Sequence, residues 1–66
     1  MEFVDILNLV HVTTMVRVEM TIFSMKFSTE HPAGYFLDKA KDNNDLLERN
    51  IKRMYTVENT LVVTLK

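Results

Sequence analysis

The chain has 66 residues, with eight basic and nine acidic side chains for a formal net charge of −1, and no cysteine. Those facts exclude a disulfide framework and a thiolate metal site. They also speak against the basic excess typical of a nucleic-acid binder.

So short a chain forms one domain, residues 1–66, and can bury only about 60% of the surface its unfolded form exposes. Domains below about 70–80 residues commonly need a staple. Without disulfides or thiolate metal sites, self-association is the staple that remains, so a homo-oligomer, most simply a dimer, is expected. The opening Met1-Glu2-Phe3-Val4-Asp5 holds two acids and no basic residue, unlike a signal peptide. The apolar-rich stretch from Leu7 to Phe27 is interrupted by His11, Arg17, Glu19 and Lys26, unlike a membrane span. The expectation is a cytoplasmic protein.

In chain order, the first segment is ambiguous. Phe3, Ile6, Leu7 and Val10 have helical spacing, yet Leu7 to Val12 also reads as strand. The reading adopted is a strand that turns at Thr13-Thr14 into the next one. Thr suits such a turn poorly, since tight hairpin turns require positive φ. From Met15 onward alternation is strict. Val16, Val18, Met20 and Ile22 point one way and Arg17, Glu19 and Thr21 the other, as in a half-buried strand. The phase slips at Ile22-Phe23, after which Phe23, Met25 and Phe27 alternate with Ser24 and Lys26. A bulge would explain the slip.

Ser28 to Gly34 is the clearest punctuation, with the only Pro and the only Gly of the chain. Pro32 fits a first helical turn. From Pro32 to Tyr55, the residues Ala33, Phe36, Leu37, Ala40, Leu47, Ile51, Met54 and Tyr55 fall on one helical arc. Its width of about 100° is that of a helix lying on a core. Asn44 interrupts the arc, but the phase continues across it, which predicts one unbroken helix. Thr60 to Leu65 closes the chain as a strand with Leu61, Val63 and Leu65 on one face. The fold class expected is α+β, a small, mostly antiparallel sheet in the order β-β-α-β with one long amphipathic helix packed on one face.

No stretch carries a recognisable catalytic motif. His11 and His31 lack ligand partners at metal spacing, and Ser24 and Ser28 lack a nucleophile elbow. The acids Asp38, Asp42, Asp45 and Glu48 lack the order of a calcium loop and suit a solvated helix face. No cofactor or metal is expected, and the chain reads as a non-enzyme.

Two surface features remain. On the predicted helix Tyr35, Lys39, Asp42, Leu46, Arg49 and Arg53 form a second stripe away from the core, with Tyr35 and Leu46 apolar where water is expected. Such a line of apolar anchors flanked by charges suits a protein partner. Arg49, Lys52 and Arg53 instead suggest phosphate contacts, although they also suit the negative end of a helix. The five methionines and four phenylalanines are more than so small a core can hide, which again points to contact surfaces.

The functional expectation is a small protein-binding regulator of accessory or inhibitor type, a role often filled by viral and phage proteins. The alternative is a dimeric nucleic-acid-binding regulator using Arg49, Lys52 and Arg53.

Overall fold

The computed structural model describes residues 1–39 and 45–66. The elements run α1 (Phe3–Leu7), β1 (Met15–Ile22), β2 (Met25–Pro32), α2 (Ala33–Lys39), α3 (Asp45–Glu48), β3 (Ile51–Val57) and β4 (Thr60–Leu65). The four strands form one mixed sheet in the order β2-β1-β4-β3. Two antiparallel hairpins, β1/β2 and β3/β4, lie side by side and join through parallel pairing of the inner strands β1 and β4. The connection from β2 to β3 runs from one edge of the sheet to the other and contains α2 and α3.

The α+β class holds, but several expectations of the sequence do not. The single helix from Pro32 to Tyr55 is replaced by two short helices and strand β3. The Asn44 interruption lies outside the described residues. The N-terminal segment is helical over Phe3–Leu7, and no hairpin turns at Thr13-Thr14. Burial decides that case. Phe3, Ile6 and Leu7 all reach the core, whereas Leu9 is 75% exposed and Val12 54% exposed, so a strand through them would have nothing to cover it. At the entry of α1 the Asp5 carboxylate accepts the Glu2 backbone N–H at 3.0 Å, which satisfies one of the N–H groups orphaned at a helix start.

The phase slip at Ile22-Phe23 is a turn rather than a bulge. Ile22 pairs directly with Met25, and the two residues between them, Phe23 and Ser24, both have positive φ, 52° and 66°. A two-residue loop with both φ values positive has the form that matches strand twist. Glu58 and Asn59, with φ 47° and 66°, make the same turn between β3 and β4. The sheet does contain a register irregularity, in β3 between Ile51 and Arg53.

Both predicted alternations hold on the two inner strands. Val16 and Val18 of β1 and Val63 and Leu65 of β4 enter the core with Phe3, Leu7, Ala33, Phe36 and Leu47. Phe3 and Phe36 meet edge to face with ring centroids 5.4 Å apart, a favoured aromatic geometry. The other face of the sheet carries no helix among the described residues and is largely polar, with Arg17 and Glu30 paired at 3.0 Å. Val62 is the exception there. It is fully buried, in register between Arg17 of β1 and Tyr55 of β3.

The termini are stitched together near the α3–β3 junction. The Phe3 N–H donates to the Arg49 carbonyl at 2.9 Å, the Ile51 N–H to the Met1 carbonyl at 2.8 Å, and the Lys66 N–H to the Asn50 carbonyl at 3.0 Å. Gly34 has a local reason. Its N–H donates to the Val12 carbonyl at 2.9 Å, and an added Cβ would meet Val12 at 3.3 Å, so the loop before β1 approaches too closely for a larger residue to fit without adjustment.

Candidate functional site: an apolar groove beside the edge strand

The core residues lie towards one end of the helix-bearing face of the sheet, and among the described residues no helix but α3 reaches the end towards the β1–β2 turn. On that face Val18, Met20 and Ile22 of β1 sit in register with Thr29, Phe27 and Met25 of β2. All of these but Met25 line a groove of about 310 Å³ completed by Ser28 and by Leu46 of α3. That is about twice an engineered cavity of about 150 Å³ that takes up benzene, so one or two apolar side chains would fit. Among the described residues, no charged one lines it. At its margin Phe27 is 48% exposed, Met25 61% and Phe23, on the turn, 94%.

A second depression, about 390 Å³, is lined by Glu19, Thr21, Lys26, Ser28 and Thr64 together with Met20 and Phe27. Although larger, its mixed polar walls can be satisfied by water. The apolar groove cannot be satisfied in that way, and it is the stronger site.

The stripe read along one helix is dispersed. Tyr35 and Lys39 lie on α2, Leu46 on α3, Arg53 on β3, Arg49 between α3 and β3, and Asp42 outside the described residues. Tyr35 is stacked on His31 with ring centroids 3.8 Å apart, and the Lys39 ammonium lies 5.6 Å from the Tyr35 ring centre. Their side chains are thus engaged with each other and with the end of β2. Of the five that are described, Leu46 alone lines the groove.

The basic cluster is corrected as well. With Lys52 and Arg53 on β3, no helix carries all three residues on its C-terminal half. Arg49 donates to the Lys66 carbonyl at 2.8 Å, a structural contact. Among the described residues, no group of three or more His, Asp or Glu side chains is placed to hold a metal ion. His11 closes its own loop, its Nδ1 accepting the Thr13 N–H at 3.2 Å. No described helix is long and apolar enough to cross a membrane.

Reading the sequence alone missed the groove, although one signal was present. Apolar residues occupy even positions to Ile22 and odd positions from Met25. A two-residue turn produces that change, and it sets Met25 and Phe27 beside Ile22 and Met20 on one face.

Comparison of the chain with protein-family models, with curated proteins and with solved structures finds no match.

Proposed function

We propose that this protein is a small, non-enzymatic binding module that regulates another protein by seating an apolar-anchored segment of it in the groove between Met20, Ile22, Phe27 and Leu46. The groove carries this reading: its lining among the described residues is largely apolar and without charge, so it favours an uncharged apolar side chain over an ionic or phosphate group. Two of its lining or flanking residues, Met20 and Met25, are methionines, whose flexible thioethers suit adaptable contact surfaces.

Phe23 supports the same reading. A bulky residue with φ of 52° is strained, and its 94% exposure brings no compensating burial. Local rules broken without local benefit are expected at functional positions.

A peptide library displayed on phage and selected against the wild-type protein tests the proposal. Selected peptides should carry an aromatic or long aliphatic anchor. Leu46→Lys should weaken their binding at least tenfold while Tyr35→Lys leaves it unchanged. Equal binding to Leu46→Lys and wild type would refute the assignment. Salt-dependent affinity for DNA or RNA, lost on charge reversal of Lys52 and Arg53, would favour the nucleic-acid reading instead.

A further inference from the structure

The two edges of the sheet differ in how they are protected. Edge strands expose unpaired N–H and C=O groups that another strand can take up, and proteins blunt them with bulges, charges or proline. The β3 edge carries the irregularity between Ile51 and Arg53, with Lys52 and Arg53 adjacent. The β2 edge pairs in unbroken register with β1 from Met25 to Pro32. Its one proline stands at the last position of the strand.

The direction of the free groups on β2 follows from the turn. In a two-residue hairpin the pair flanking the turn exchanges backbone hydrogen bonds, and bonded pairs then recur at every second residue. Ile22–Met25, Met20–Phe27, Val18–Thr29 and Val16–His31 are therefore the bonded pairs. The next one, Thr14 with Ala33, is seen directly, the Ala33 N–H donating to the Thr14 carbonyl at 2.8 Å. Lys26, Ser28, Glu30 and Pro32 thus turn their backbone groups outward. Pro32, which has no N–H, falls on the outward set, where a proline costs the β1 ladder nothing.

We infer that β2 is a homodimerisation edge, on which a second copy of this chain adds its own β2 antiparallel about a two-fold axis at Ser28. Charge complementarity supports that occupant, and among axes placed on an outward residue it favours Ser28. With Ser28 opposite Ser28 of the second copy, Lys26 lies opposite Glu30 of the second copy, and the two-fold repeats the pair. A shift of the axis to Lys26 or Glu30 would set like charges opposite each other, which destabilises a strand pair. The Ser28 register also bonds all three outward residues that possess an N–H, and it leaves Pro32 just beyond the ladder.

The pairing has consequences on both faces. On the polar face Lys26 of one copy joins the Arg17–Glu30 ion pair of the other. On the apolar face each Phe27 lies diagonal to Phe27 of the second copy, so the exposed margin of each groove is covered by its counterpart. A net charge of −1 opposes the association little. The inference concerns the strand edge and holds whether or not the groove takes a further partner.

Light scattering coupled to size exclusion, on the full chain, tests it. The wild type should show twice the monomer mass of 7.8 kDa. Lys26→Glu should weaken the dimer about tenfold or more, because both ion pairs become repulsive. Glu30→Lys should do the same. An equimolar mixture of the two variants should recover a dimer, since each charge then meets its opposite. Ser28→Pro should abolish the dimer while keeping the fold, its lost N–H being an outward one.

A monomeric wild type, or a dimer unaffected by Ser28→Pro and Lys26→Glu, would overturn the inference. Should the variants not fold, hydrogen exchange on the wild type decides. The amides of Lys26, Ser28 and Glu30 must gain protection as protein concentration rises, and concentration-independent exchange at all three overturns it.

Discussion

Leu46 and Phe27 line the same apolar groove, one from a four-residue helix and the other from an edge strand. Leu46 is partly buried against the core while Phe27 remains nearly half exposed. An apolar surface of this kind should take up an apolar fluorophore such as ANS from the folded state, although ANS is better known as a probe of partly folded states. Wild type should enhance ANS fluorescence in native buffer, and Leu46→Lys should reduce the enhancement several-fold with an unchanged circular dichroism spectrum. Equal enhancement in the two proteins would show that the dye binds elsewhere.

The turn Phe23-Ser24 holds two residues in the left-handed region without a glycine, asparagine or aspartate. Replacing the pair with Asn-Gly should stabilise the fold by about 1–2 kcal/mol, because those residues adopt positive φ at lower cost. Because Phe23 is so exposed, no core contact is lost. Thermal unfolding should show a higher midpoint, and the same variant should bind groove peptides more weakly. A lower midpoint would mean that Phe23 makes a stabilising contact.

Arg49 and its basic neighbours should separate on mutation. Arg49→Ala removes the donor to the Lys66 carbonyl and should cost about 0.5–1.5 kcal/mol in urea unfolding. Lys52→Ala and Arg53→Ala, on an exposed strand, should stay within about 0.5 kcal/mol of wild type. Identical stabilities for all three variants would argue against a structural role for Arg49.

The N-terminal helix is part of the core. Phe3 is fully buried and edge-on to Phe36, so Phe3→Ala should cost about 3–5 kcal/mol. That is a large part of the stability of any domain this small. Urea unfolding checks it, and a loss below about 1 kcal/mol would contradict the packing, given the scale of core truncations.

Much of the sheet was legible in the sequence, and the reason lies in period. The inner strands β1 and β4 turn Val16, Val18 and Met20, and Leu61, Val63 and Leu65, to the core face, so their period of two is visible although Val62 is buried on the other face. Strand β3 was hidden by its register irregularity. Ile51 pairs with Leu65 and Met54 with Val63, so the extra residue sets Ile51 and Met54 on one face. That i, i+3 spacing mimics a helix and carried the arc of Ala33, Phe36 and Leu47 on into the strand. The turn at Phe23-Ser24 was obscured because neither residue is one that usually takes the positive φ this turn requires. Of the candidate site, Leu46 was legible as an apolar residue out of place. Met20, Ile22 and Phe27 could not be assigned to a site without knowing how the strands pair and that Leu46 of α3 lies beside them.

The most direct test of the groove is where a selected peptide perturbs the amide spectrum of isotope-labelled protein. Titration should shift Val18, Met20, Ile22, Phe27 and Leu46 together and leave the polar-face residues Arg17, Thr60 and Thr64 in place. Shifts confined to β3 or to the polar face, with the groove residues unmoved, would contradict the account.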